Sequence, residues 1–564
     1  MRELPPPPIS KDPPRPATAA TTATASSMES KRAIKYGTGR HANTELSPQP
    51  SEKPEDPLNW PLWKKHLNLL ALLSMVALVG VMKTAYISVN GIIAMSEDVS
   101  YTAAVALTGA PLILSAVTGM LSMVVAKIWG KRPVYLVSMV LIFWGVTWNT
   151  HVRGNLGQNM AARVFQGLGW GAFDTLVLGS IQDTYFEHER QYVIVAHHAV
   201  SLLTMLGSPL LGGVASAGPR SFEVQFEIMS AFLSVSVLLI IFAAPETAYD
   251  RVLEPEGQSP TISRSQALVP VVTYTKEAAL EYLATMKPWS YQASEINMRL
   301  ILQAPRALVA PTNGLLFAVT ILPHAGLWGL AGSLSLLFTP LPFLLSSSSL
   351  GALMTGPFIV AAPVGIALSL PIAQRYFRTT VHLGTLAVGG ALASVGLLGF
   401  GLYLAAAMEM PTDGSAGPSS TPWDLGFLGD RVSLPVASFL LGLLAAGSLA
   451  LDATTRPVIQ RSTAFTSANL AASLRSTADM HGGLACLRSL VVGAFVLGLP
   501  SAIVAWDGLK SVALGMGVTQ IFVIAAVAAV YWYWDENVRR LDGLVMGLVD
   551  LDELKRPSSF FDAD

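Results

Sequence analysis

Twelve stretches of roughly twenty predominantly apolar residues recur along this chain, separated by short polar connections. They fall at 67–92, 103–126, 134–152, 157–181, 192–215, 224–244, 308–330, 349–372, 381–407, 432–455, 482–505 and 511–534. A helix rises 1.5 Å per residue, so about 20 residues cross a hydrocarbon layer about 30 Å thick. Inside that layer the backbone must satisfy its own hydrogen bonds, which leaves bundles of helices as the solution for segments this long. The predicted class is therefore an all-α membrane protein of twelve spans. Only 13% of the residues are charged, against about a quarter in a soluble domain.

Basic residues in short connections set orientation. With the N-terminus inside, thirteen fall on the inner face: Lys64, Lys65, Lys127, Lys131, Arg132, Arg190, Arg375, Arg378, Arg456, Arg461, Arg475, Arg539 and Arg540. Four fall outside: Arg153, Arg220, Arg431 and Lys510. Residues 1–56 lack the apolar core of a signal peptide and are rich in Pro, Ser, Thr and Ala, which predicts a disordered inner tail. The expected organisation continues with a six-helix half at 57–244, an inner central loop at 245–307, a second half at 308–534 and an inner tail at 535–564. A faint internal repeat accompanies this division. Leu107-Thr108-Gly109 resembles Met354-Thr355-Gly356, and Leu121-Ser122 matches Leu368-Ser369, at a common offset of 247.

Charge and motif content narrow the function. With 36 basic and 37 acidic residues there is no electrostatic case for a nucleic-acid partner. Cys486 is the only cysteine, so no disulfide or cysteine metal site is predicted. No metal-ligand spacing, phosphate loop or nucleophile elbow stands out, so neither a cofactor nor an enzymatic activity is expected.

Several short motifs then carry a resemblance. KIWGKRPVY (127–135), with Gly130, Lys131 and Arg132, resembles the signature loop of the major facilitator superfamily, whose Gly-Arg/Lys-Arg turn latches one conformation. That family usually has an acid three positions before the glycine, where this chain has Lys127. ARVFQGLG (162–169), with Arg163 and Gly167, resembles the fourth-helix motif, whose arginine is associated with proton coupling. GSPLLGG (207–213), with Gly207, Pro209, Gly212 and Gly213, resembles the fifth-helix motif of proton-driven antiporters, with Ser208 replacing the usual glycine. EDPLNWPLWKK (55–65), DTYFEHER (183–190) and PETAYDR (245–251) resemble fungal drug:proton antiporters. The plainer reading of the glycines is close helix packing, and of the cations, topology alone.

Ionisable groups within spans cost several kcal/mol unless partnered or facing a polar cavity, so each is a candidate by default. Arg163 and Asp174 share one stripe of the fourth span about 16 Å apart, too far for a direct pair. Both are expected to face an aqueous cavity. Lys83 either joins that cavity or snorkels outward. His324 either serves the site or bonds a neighbouring carbonyl, and Asp452 either serves it or pairs with Arg456 four residues on. The family resemblance makes the first, fourth, seventh and tenth helices, which carry these five groups, the lining of a central cavity.

The resemblance implies two halves rocking about a midplane site. A small organic solute would move in exchange for protons, as efflux by a monomer embedded in lipid. The plasma membrane is the expected location, with the vacuolar membrane as the alternative. Uptake by symport or facilitated diffusion is the runner-up, and a solute-sensing receptor on a transporter-like fold is the rival from another class. The topology is directly testable. A protease site or tag at residue 280 is expected to be inaccessible from outside intact cells; cleavage there would break the twelve-span scheme.

Overall fold

A computed structural model describes residues 35–37, 42–249 except 52, 54, 153 and 219–221, 265–266, 282–370 except 294, 295, 297, 341 and 342, 379–408, and 432–547 except 468, 469, 506 and 507. Arg153, Arg220, Arg375, Arg378 and Arg431 of the topology argument lie outside the described residues, as do 250–264 and 267–281 of the central loop.

The first part of the chain forms α1 Leu62–Thr84, α2 Asn90–Ser96, α3 Tyr101–Trp129, α4 Lys131–His151, α5 Leu156–Thr175, α6 Val177–Thr184, α7 Glu187–Ala215 and α8 Glu223–Ala243. The second forms α9 Met298–Val309, α10 Pro311–Phe338, α11 Ser347–Leu353, α12 Ala362–Ser369, α13 Thr379–Met408, α14 Leu434–Ala453, α15 Thr455–Thr466, α16 Leu470–Ala505 and α17 Leu509–Met546. Strand among the described residues is confined to a short parallel pairing of Lys35–Tyr36 with Ser265–Gln266.

Eleven segments among the described residues are long and apolar enough to cross a membrane. The predicted span not among them is the fourth, the charged one: 157–181 is realised as α5 and α6, broken at Leu176. The eighth is also broken. A π-helical turn at Pro357–Ala361 joins α11 to α12, where Pro357 removes a backbone donor. The seventh runs on to Phe338, well past the expected end at 330, and stops just before Pro340.

Local sequence explains the ends. Ser100 caps α3 by accepting from the Ala103 N–H, and Asn155 caps α5 by accepting from the Gln158 N–H at 3.1 Å. Gly130 has φ 89°, a value that L side chains rarely adopt. It therefore ends α3 and lets α4 begin at the very next residue.

Both expected tails prove partly ordered. Within 1–56, the Ser47 carbonyl accepts the Glu187 N–H at 2.8 Å, Ser51 Oγ accepts from the Tyr249 hydroxyl at 3.1 Å, and Leu46 packs with Leu58 and Phe186. At the other end, α17 continues past 534 to Met546 with a bend at Trp534. Its buried Asp542 accepts from the Thr312 N–H at 2.9 Å and from the Ser462 hydroxyl at 2.5 Å. A carboxylate from the last helix thus satisfies an orphan donor at the start of α10. Trp532, Tyr533 and Trp534 face outward as an interfacial belt requires, whereas Tyr531 is buried against His382.

Two buried apolar clusters dominate the interior. One is built mainly from residues 71–244, the other mainly from 327–512, with Ile87, Leu202 and Leu206 reaching into the second. The seam between α7 and the broken α11–α12 span is made by small residues. A Cβ on Gly213 would sit 2.5 Å from the Ser347 carbonyl oxygen and 3.1 Å from Gly351 Cα, and one on Gly207 would meet the Phe358 ring at 3.0 Å. Gly212 instead faces the flexible end of Gln225 at 3.0 Å. The close approach therefore belongs to Gly213. Gly213→Leu is expected to lower the thermal midpoint through an overpacking cost of about 3 kcal/mol, with Gly212→Leu clearly milder; equal midpoints would discount this contact.

Candidate functional site

The charged stripe on α5 is the natural starting point. Arg163 is completely buried. Its Nε donates to the Leu107 carbonyl at 2.8 Å, Nη2 to the Met82 carbonyl at 3.0 Å, and Nη1 to Gln166 Oε1 at 2.7 Å. The guanidinium lies between the Tyr86 and Trp170 rings, 4.6 Å and 5.0 Å from their centroids. The polar chain continues from Gln166 to Asn149, from Asn149 to Asn159 Oδ1 at 2.6 Å, and from Tyr86 to the same oxygen at 3.2 Å. Arg163 therefore does not face an aqueous cavity, contrary to the expectation. Only a forked, planar cation meets acceptors on three helices at once while stacking on two rings. Here it ties α1, α3 and α5 together. Gly167 completes the fit, since a Cβ there would lie 2.6 Å from Pro111 Cα.

Asp174, further along the same helix, is where the chemistry is accessible. Lys83 Nζ donates to both of its carboxylate oxygens, at 2.6 and 2.7 Å. Lys83 thus points inward and does not snorkel. The two side chains keep 12% and 21% exposure, so the pair is neither dry nor fully solvated. Met82, whose carbonyl Arg163 holds, immediately precedes Lys83, so the buried arginine sets the distance between α1 and α5 at the pair. On the other side Thr84 shares a hydrogen bond with Ser208. The serine that replaces the usual motif glycine therefore anchors α7 to α1 next to Lys83.

A second pair lies on the later helices. Asp452 on α14 bonds to Arg488 on α16, not to Arg456 as the four-residue spacing suggested. Arg488 Nε and Nη2 also donate to Thr320 Oγ1 at 3.1 and 3.0 Å. His324, one turn beyond Thr320 on α10, has its ring 6.4 Å from the Trp328 ring. Lys83 and Asp174 thus form one pair and Asp452 joins Arg488 in a second, while Arg163 is sealed apart from both.

The signature loop is held by acids that spacing alone could not assign. Glu246 accepts the backbone N–H groups of Lys131 at 3.0 Å and Arg132 at 2.9 Å. Lys131 Nζ pairs with Asp183 at 2.6 Å. The Arg132 guanidinium donates to the Ile240, Ile241, Ala244 and Met286 carbonyls, closing the end of α8. Lys127 crosses to α16, 2.6 Å from Asp479, and donates to Gln303 at 3.0 Å. Glu246 lies in PETAYDR and Asp183 in DTYFEHER, so two of the motifs quoted above supply partners to the third. A cavity of about 110 Å³ opens among Lys127, Lys131, Asp183 and Asp479. At the opposite end α2 and α3 meet α10 through neutral bonds: the Tyr101 hydroxyl to the Gly332 carbonyl at 2.6 Å, and the Gly91 N–H to Ser335 Oγ at 3.0 Å.

Comparison with known proteins adds the family. The sequence profile of the Major Facilitator Superfamily matches residues 72–478, well over half of the chain. The chain belongs to the major facilitator superfamily. It is accordingly a multi-pass membrane protein of a transporter family. Similar proteins include an uncharacterized MFS-type transporter of Schizosaccharomyces pombe, 30% identical over 230 residues, 40% of this chain and 38% of that one. Protein HOL1 of Saccharomyces cerevisiae is 28% identical over 212 residues, 36% of this chain and 35% of its own length. The matches therefore span less than half of these relatives. Among solved structures, the proton:xylose symporter XylE, bound to 6-bromo-6-deoxy-D-glucose, is 14% identical with a TM-score of 0.49, covering 86% of this chain and 100% of its own.

The packing of Arg163 in this superfamily member makes its own prediction. Arg163→Lys keeps the charge but leaves carbonyls and Gln166 without donors. Each lost charged hydrogen bond is worth about 1.5–3 kcal/mol, so the thermal midpoint should fall by several degrees. An unchanged midpoint would show that the three-helix tie is dispensable.

Proposed function

We propose that the protein is a secondary transporter that moves a small organic solute by alternating access, coupled to protons, with antiport and efflux as its direction. The observation that carries the reading is the Lys83–Asp174 pair. It is inside the bundle and partly accessible, joining α1 to α5. Two charges are costly to bury and costly to separate, so such a pair favours a site where an incoming charge replaces one partner as another leaves.

The seams support alternating access. One end is closed across α3 and α16 by the Lys127–Asp479 ion pair, the other by neutral hydrogen bonds to α10. Each is small enough to open while the other stays shut. The antiport direction rests on the α7 motif, whose Gly213 and Gly207 form the tight seam with α11–α12 and whose Ser208 reaches Thr84 beside the pair. In this reading residues 57–244 and 308–534 are the moving halves, 245–307 and both termini are on the inner side, and the working unit is a monomer in the plasma membrane.

Proteoliposomes loaded with a pH-sensitive dye test the whole reading. Solutes from a panel of small organic cations, anions and neutral molecules are added outside. A transported solute should alkalinise the lumen under antiport, whereas symport would acidify it. Asp174→Asn and Lys83→Ala are each expected to cut the solute-driven flux at least about tenfold, since each strands one buried charge. Solute binding without flux would instead favour a receptor, and full flux in both variants would remove the pair from the mechanism.

A further inference from the structure

Between the two sets of spans, residues 282–309 carry a band of exposed apolar side chains on a segment that does not span. Trp289, Met298 and Val309 are 73%, 72% and 74% exposed, and Leu283, Ile296 and Leu302 are exposed as well. The helix in this band, α9, has 12 residues. That is about 18 Å of helix, too short for a hydrocarbon layer of about 30 Å.

Exposure on α9 is one-sided. At about 100° per residue, Met298, Leu302 and Val309 fall within about 40° of one another. Ala304 and Ala307, both completely buried, lie on the opposite side. Small residues bring that back face onto α16: a Cβ on Gly483 would sit 3.2 Å from the Ala307 carbonyl carbon. Gln303, between the two faces, accepts from Lys127 Nζ at 3.0 Å.

Position and charge name what covers the front face. Gly483 belongs to the span Ala472–Ala505, and Val309 stands two residues before the span Pro311–Phe338. The exposed stripe is therefore continuous with the surface that those spans present to lipid. Across 282–309, Lys287, Arg299 and Arg306 stand against one acid, Glu295. Trp289 is two residues from Lys287, and both are exposed. Tryptophan favours the headgroup level of a bilayer. A short helix with an apolar stripe and flanking cations has the make-up of an interfacial helix, and its cations favour acidic lipid.

The band is also fastened to the signature loop. The Arg132 guanidinium donates to the Met286 carbonyl at 2.9 Å, and the Ala293 N–H donates to the Ile128 carbonyl at 3.0 Å. With Gln303 on Lys127, these contacts hold the band beside the Lys127–Asp479 seam.

We propose that residues 282–309 dock on the headgroup layer of the adjacent leaflet, the inner one in the orientation proposed above, and gather acidic phospholipid there. Met298, Leu302 and Val309 enter the acyl boundary, while Lys287 and Arg306 meet the headgroup anions. Docking of this kind requires no transported solute, so it stands apart from the transport reading.

Site-specific quenching in nanodiscs, whose two faces are both open to solvent, tests the docking. Cys486→Ala removes the only native cysteine. Leu302→Cys or Glu45→Cys then carries a bimane label in the full-length protein, Glu45 being an exposed residue of the N-terminal tail and the aqueous control. Phosphatidylcholine with a doxyl group high on its acyl chain should quench the label at 302 at least about threefold more than at 45, and aqueous iodide at least about threefold less. In mixed phosphatidylcholine and phosphatidylserine discs, doxyl-phosphatidylserine should quench position 302 at least about twofold more than doxyl-phosphatidylcholine at the same mole fraction. Lys287→Gln with Arg306→Gln should bring that ratio to one and leave the phosphatidylcholine value in place. The docking is overturned if position 302 behaves like position 45. It is equally overturned if 302 is shielded from both quenchers, since a protein surface, a second copy included, then covers the face. Equal quenching by the two doxyl lipids overturns the gathering of acidic lipid.

Discussion

A charge within hydrocarbon must find a partner, and the placement of every central group in this protein follows from that constraint. Arg163 meets it with carbonyls and two aromatic faces, Lys83 with Asp174, and Arg488 with Asp452 and Thr320. These solutions differ in kind. The arginine on α5 is sealed among groups that cannot leave, so it holds helices together. The lysine and the aspartates are each paired with one oppositely charged side chain and remain partly accessible. Burial thus separates the sealed cation from the accessible pairs, although all of them looked alike in the sequence.

The same constraint shapes the signature loop. This chain places a cation at 127 where the superfamily usually has an acid, and a compensating acid, Asp479, comes from α16. The polarity of the seam is reversed while its ionic character is retained. The remaining cations of the loop take acids from the same set of helices, Lys131 from Asp183 and the Arg132 backbone from Glu246. One end of the bundle is therefore closed by charge and the other by neutral hydrogen bonds. Ionic strength and pH act unequally on two such seams, which gives the fold an intrinsic asymmetry between its ends.

Glycine provides the complementary device. Gly167 against Pro111, and Gly213 against Ser347 and Gly351, bring helix backbones close without side chains between them. Those contacts let Arg163 reach carbonyls on α1 and α3, and they set α7 against the broken eighth span. Packing and electrostatics are thus not independent here. The polar network exists because the small residues allow the approach.

The sequence by itself determined the helical membrane class and pointed to the family, because apolar length and short local motifs depend only on neighbours along the chain. It also picked out Lys83, Asp174, His324 and Asp452 as interior groups, since an ionisable residue in an apolar run is visible without a fold. Partnership was another matter. Local spacing offered Arg456 as a partner for Asp452 and left Lys83 open between the cavity and an outward path; the partners, Arg488 and Asp174, are 36 and 91 residues away, beyond the reach of local spacing. Arg163 was assigned to water because nothing local reveals that Leu107, Met82, Tyr86 and Trp170 surround it. Asp479, Glu246 and Asp183 gained their partners only when helices distant in sequence were packed side by side. Which charge meets which depends on helix packing, and that is a property of the assembled bundle alone.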